Sequence, residues 1–160
     1  MHSAVAALVP IWILIASGLS VQAQELRRFT EPSFGTSALV PVNWASEPIE
    51  RPAGVSVRYF YSQDGETWLA VFGKTVAPGV NARRLATAFD ETVTYSADGD
   101  GWFVRSGLRQ ERIFYRKALF SCRGRLAHLI AFEYPASRKR EHDRLVTLVS
   151  RSLHSRRVAC

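Results

Sequence analysis

The decapeptide from Arg125 to Tyr134, RLAHLIAFEY, is apolar at almost every position. A strand with one wet face alternates apolar and polar residues, because successive side chains point to opposite sides. Here Leu126, His128, Ile130 and Phe132 point one way, while Ala127, Leu129 and Ala131 point the other. Both faces therefore need cover, so the strand belongs inside a layered structure. Helices above and below are the expected cover. The fold class that follows is α+β, an α-β-α sandwich with a central antiparallel sheet.

Two hairpins precede that strand. Val55 to Tyr61 and Thr67 to Phe72 flank Ser62-Gln-Asp-Gly-Glu66, and Asp64-Gly65 tolerates the positive φ that a tight turn requires. Gly101 to Phe120, GWFVRSGLRQERIFYRKALF, reads as two aromatic-rich strands joined around Leu108-Arg109-Gln110-Glu111. Earlier, Ser37 to Trp44 reads as a strand that Pro41 confines to an edge, and Pro48 and Pro52 hold 46–52 as an extended linker.

Two helices are expected. Leu85, Phe89 and Val93 recur every four residues, predicting an amphipathic helix from Ala82 to Tyr95 capped by Asn81. Leu145, Val149 and Leu153, beside Val146 and Leu148, predict a second, capped by Ser137 and ending near Leu153. Its first turn, Arg138-Lys139-Arg140, places cations where the helix dipole disfavours them. Such a placement suits an anion, or is screened and harmless on an exposed surface.

Residues 4–19 are apolar and end in small residues before Ala23, the pattern of a signal peptide cleaved there; an uncleaved anchor is the alternative. The run is too short for the roughly 20 residues of a membrane-spanning helix. Residues 1–23 are thus read as the signal and 24–160 as a single α+β domain, periplasmic or secreted. Charge divides along that domain. Residues 24–100 hold seven Lys and Arg against ten Asp and Glu, whereas residues 101–160 hold fourteen against four. An exported chain with this basic half is expected to meet an anionic partner, namely a lipid headgroup, an acidic polysaccharide or an acidic protein face. Nucleic acid is disfavoured by the compartment. Peripheral membrane contact is compatible with it.

The residues expected to carry that contact are Arg105, Arg109, Arg112, Arg116 and Lys117, interleaved with Trp102, Phe114 and Tyr115, together with Arg138, Lys139 and Arg140. Guanidinium groups pair two-pronged with phosphates and carboxylates, and rings beside them stack on sugars. Arginine stems packed over a half-buried sheet give the same pattern without a ligand. Cys122 and Cys160 are the only cysteines; export favours a bond between them, with free or intermolecular thiols as the alternative. No catalytic residue, cofactor or metal site is assigned: neither paired cysteines nor HExxH occurs, and Asp98-Gly-Asp-Gly101 lacks the closing Glu of a calcium loop. A hydrolase would need Ser106 brought to His128, or a carboxylate base at Glu133 or Glu111, but WFVRSG lacks the GxSxG elbow. His128 reads as a hydrogen-bonded core histidine, and His142 and His154 as exposed. A purely structural envelope protein is the remaining alternative.

The order of elements resembles a known family. The Asp64-Gly65 hairpin, a helix, GWFVRSG followed by RIFYRK, an apolar strand ending Tyr134-Pro135, and a last helix with Leu145-Val146 and Ser152-Leu153 are similar to PsbP/DcrB-like exported domains. The likeness covers most of the mature chain and consists of hydrophobic pattern more than chemistry. It implies an α-β-α sandwich and an accessory or binding role without catalysis, and it carries no catalytic set onto these positions.

Overall fold

A computed structural model describes residues 24–49, 51–78, 88, 90–156 and 160. The expected signal peptide, its cleavage site and most of the helix predicted from Ala82 fall outside these residues. Two antiparallel sheets account for most of what is described. Strands β1 (Leu26–Thr30) and β2 (Thr36–Pro41) form a small sheet with β10 (His154–Ser155), in the order β1-β2-β10. The large sheet comprises β3 (Ala45–Ile49), β4 (Val55–Tyr61), β5 (Trp68–Thr75), β6 (Thr92–Gly99), β7 (Trp102–Arg109), β8 (Arg112–Ser121) and β9 (Leu126–Pro135). Its order is β3-β4-β5-β9-β8-β7-β6. Helix α1 (Lys139–Ser152) follows β9 after a single 3-10 turn, Ala136–Arg138.

The expected α-β-α sandwich is corrected by this arrangement. Among the described residues α1 is the one α-helix, and it lies on one face of the large sheet beside the small sheet. The apolar run of β9 is buried on both faces, and on the α1 face the small sheet shares the cover with the helix. On the α1 face, Ile130, Phe132 and Tyr134 pack with Leu69, Val71 and Phe60, under Ala38 and Val40 of β2 and Leu145, Val146 and Val149 of α1. On the opposite face, small Ala118 and Ala127 let Phe103, Leu129 and Val76 close together, with Phe72 and Phe120 at the border. Each large apolar side chain so buried contributes roughly 1.5–3 kcal/mol.

Several boundaries move for local reasons. Thr92, Val93 and Tyr95 belong to β6 and not to a helix; a β-branched and aromatic run outweighs the four-residue recurrence there. Pro41 does not put β2 at an edge, because β10 pairs only with Ser37 and Thr36 on the other side. Farther along β2, the Leu39 amide donates to Ser152 Oγ of α1 at 2.7 Å. The expected linker around Pro48 is edge strand β3, where a missing N–H costs nothing if it faces outward. Ser137 does not cap α1: the cap position is Arg138, without a side-chain bond. The hairpin at Asp64-Gly65 forms as read, with Gly65 at φ +72° and Asp64 Oδ1 accepting from the Glu66 amide at 2.9 Å. Cys122 and Cys160 are joined as a disulfide, with Cα atoms 5.2 Å apart.

Strand β6 carries a register shift between Val93 and Tyr95, and Gly107 of β7 sits against it. A Cβ at Gly107 would lie 1.9 Å from the Thr92 carbonyl oxygen, a backbone atom with nowhere to go. Gly107→Ala is therefore expected to cost about 1–3 kcal/mol by prying β6 from β7. Urea unfolding would show it; an unchanged midpoint would mean that β6 is not held as described.

Candidate functional site

Alternation in β7 and β8 sends Arg105, Arg109, Arg112 and Arg116 to the face opposite α1, where Glu133 of β9 also points. The structure brings these arginines together, but around the protein's own acids. Glu133, with a side chain 4% exposed, accepts from Arg109 Nη2 and, at 2.7 Å, from Arg112 Nε. Arg112 also donates to the Glu66 carbonyl at 2.5 Å. Arg116 grips Glu91 two-pronged, its Nη1 donating to Oε2 at 2.5 Å and its Nη2 to Oε1. Arg109 stands 3.9 Å from both Asp90 and Glu91, and so links the two nodes. Burial works against the Arg109 charge, yet Glu133 and the other acids raise its pKa above the ordinary value. Burial likewise opposes the Glu91 charge, and Arg116 and the Ala88 amide hold its pKa below the usual range.

The remaining expected contacts are also internally engaged. Arg105 meets Asp98 at 2.6 Å and the carbonyls of Ala97 and Val104. Lys117 points to the other face and donates to the Ser150 carbonyl at 2.8 Å, its pKa lowered by burial. Arg138 gathers Glu141, Asp64 and Glu66, with the first two at 2.5 Å, and Glu141 and Asp64 raise its pKa. Lys139 meets Asp143 at 2.6 Å. The cations in the first turn of α1 are thus largely neutralised within the corner they occupy.

Arg140 differs. It is exposed and, with Arg144 and Arg151, takes no hydrogen bond or ion pair from any described residue. The i, i+4, i+11 spacing sets all three on one line of α1, opposite buried His142, Leu145 and Val149. At 1.5 Å per residue the ridge runs about 16 Å. Leu148, 40% exposed, borders it. Arg144 and Arg151 were legible as the polar complement of the Leu145-Val149-Leu153 stripe; charge density in the central hairpin pointed elsewhere.

The geometry does not assemble the hydrolase reading. Ser106 Oγ donates to the Phe114 carbonyl at 2.8 Å, and its partner across β8 and β9 is Phe132, four positions along β9 from His128. His128 is fully buried between Thr36 Oγ1 at 2.9 Å and Ser121 Oγ at 2.8 Å. Both ring nitrogens are therefore used, as a core histidine requires. His142 is not exposed as expected. It is 5% exposed, within 3.1 Å of Thr67 Oγ1, and packed on the Tyr134 ring. Among the described residues no cluster of His, Cys, Asp and Glu is placed to hold a metal.

No protein-family profile matches the sequence, and no curated protein does either. Among solved structures, the fold matches the solution structure of cyanobacterial PsbP (CyanoP) from Synechocystis sp. PCC 6803, with a TM-score of 0.61 and 16% sequence identity. The match covers 89% of this chain and 99% of that one. The fold is PsbP-like. Strand order and layering thus carry a similarity that few identical side chains support, so the match speaks to the PsbP-like fold alone.

Two outcomes test this account of the site. Glu133→Gln would leave Arg109 and Arg112 without their shared acid, and because both are partly exposed the loss is expected near the lower end of the buried-pair range, about 3 kcal/mol. Its measure is the urea midpoint, and a neutral result would remove the node. Burial, partly offset by Glu31 and Glu141 respectively, holds the pKa of His128 and His142 below the ordinary 6.5. The folded state thus keeps them neutral, so their contribution is complete above the unfolded pKa and declines as pH falls through the folded one. Unfolding free energy should drop between pH 7 and 5, by at most about 1.4 kcal/mol per pH unit per histidine, and less steeply in His142→Gln. A flat profile would contradict it.

Proposed function

We propose that this chain is an exported, non-catalytic binding protein that meets an anionic partner through the outer ridge of α1. The observation that carries the reading is the contrast between two sets of arginines. Those of the central hairpin spend their charge on Glu133, Glu91 and Asp98, whereas Arg140, Arg144 and Arg151 face solvent without an acid. Cations in that position are free to neutralise an external charge, each contributing on the order of 1 kcal/mol at an anionic surface. The signal-like leader and the Cys122–Cys160 disulfide support an oxidising compartment, periplasmic in a Gram-negative source. The PsbP-like fold agrees with an accessory role. The hairpin cations join the proposal as supports that hold the sheet in shape, with the exposed edges of Arg109 and Arg112 as a secondary contact.

Charge reversal in the hairpin is a poor test, since it would also break internal pairs. The ridge can be reversed without that cost. Arg140→Glu, Arg144→Glu and Arg151→Glu together are expected to lower binding to anionic vesicles, and capture from envelope extract at low salt, at least about tenfold. Circular dichroism should remain unchanged. Binding that is insensitive to salt and equal in the triple variant would overturn the reading.

A further inference from the structure

The half of the large sheet away from the charged nodes carries a row of aromatic rings on the face opposite α1. Tyr61 of β4 lies directly across from Trp68 of β5, and Trp68 directly across from Glu133 of β9. Tyr59, two residues before Tyr61 and on the same face, stacks on the Tyr61 ring at 6.1 Å, with their planes 13° apart. It also meets the Trp68 ring at 5.6 Å. All three side chains are half-buried.

The polar tips of the row are what set it apart from a ladder that merely stabilises a sheet. Neither phenol hydroxyl nor the indole N–H has a hydrogen-bond partner among the described residues. None of them is a buried unsatisfied atom either. The hydroxyls and the N–H therefore face solvent while the rings present flat apolar surface beside them. A ligand that fits must offer a flat C–H face and a rim of hydroxyl groups. A sugar ring does both.

Charge is graded along the row. At the β3 end, Glu47 lies across from Tyr59, and burial together with Glu47 raises the Tyr61 pKa. At the β9 end, Glu133 is turned inward under Arg109 and Arg112, whose side chains are 30% and 31% exposed. The Glu66 carboxylate is drawn aside by Arg138 at 3.2 Å. What a ligand meets beyond Trp68 is thus guanidinium, and what it meets beyond Tyr59 is carboxylate. We infer that Tyr59, Tyr61 and Trp68 form a binding row for an acidic saccharide, its ring stacked on the aromatics and its carboxylate directed to the open edges of Arg112 and Arg109. This rests on the proposed anionic partner and selects among its forms, at a surface separate from the α1 ridge.

The probe is a galacturonic-acid hexamer, with the neutral glucose hexamer as comparison, titrated calorimetrically into the full mature chain. The acidic oligomer is expected to bind, and Trp68→Ala to weaken it at least about tenfold, as loss of a stacking ring does. Trp68→Phe keeps a ring and should retain most of the affinity, which separates stacking from damage to the fold. The triple reversal on α1 should leave uronate binding within about twofold. No binding to wild type, or equal binding by Trp68→Ala, would overturn the row. If the neutral oligomer binds as tightly as the acidic one, the assignment to an acidic saccharide fails. Should the α1 triple variant lose uronate while Trp68→Ala keeps it, the row is wrong and the ridge reading survives.

Discussion

The rest of the molecule depends on burying β9 from both sides at the centre of seven strands. An interior strand must satisfy its backbone groups through its two neighbours, and β8 pairs with it from Leu126 to Pro135 and β5 from Leu126 to Glu133. Its side chains then have no access to water, so Ile130 and Phe132 go to one core and Ala127 and Leu129 to the other. Only two positions in this run are polar, and each is met. His128 is clasped by two hydroxyls, and Glu133 by two guanidinium groups. A buried carboxylate left unpaired would cost several kcal/mol, which explains why basic residues cluster in the adjoining β7–β8 hairpin.

That clustering changes what the charge asymmetry of the chain means. Fourteen basic residues in the last sixty positions suggest a surface built to attract anions. Much of this charge is structural, tying β7 and β8 to β9 and to the acids at the start of β6. Arg109 spans both nodes, and Arg116 also lies over the Phe114 ring at 4.9 Å. Among the described residues of this half, Arg140, Arg144 and Arg151 on α1, with Arg123, Arg125 and Arg156 near the disulfide, are the exposed arginines that meet no acidic side chain.

The inner strands and the tight turn were legible because they rest on local chemistry, whereas β3 reads as a linker and the start of β6 as a helix. The alternation of β4 and β5, the Asp64-Gly65 turn and the two-faced run of β9 each follow from side-chain direction or backbone freedom over a few residues. The layer count did not follow. Nothing local says whether a helix or a hairpin covers a face, and here β2 of the small sheet shares with α1 the cover of one face of the large sheet. The same limit hid the acids of the arginine nodes. Glu91 and Arg116 are 25 residues apart, and Arg109 and Glu133 are 24 apart, distances over which spacing carries no information. His142 was misread because Thr67, which accepts it into the core, lies 75 residues earlier. The three aromatics of the row stand in two strands that were read correctly, yet their meeting needed the β4–β5 register.

The disulfide sits wholly on one side of the seam where β5 meets β9. Cys122 follows β8 and Cys160 lies beyond β10, so the crosslink closes a loop within the carboxy-terminal half. The amino-terminal half, β1 to β5, is joined to the other by the β5–β9 ladder, by β2 against α1 and β10, and by the single peptide connection that leads to β6. Reduction would therefore loosen the tail without unzipping that seam. A nick in the connection would yield two pieces with complementary edges, of which only the second is covalently braced.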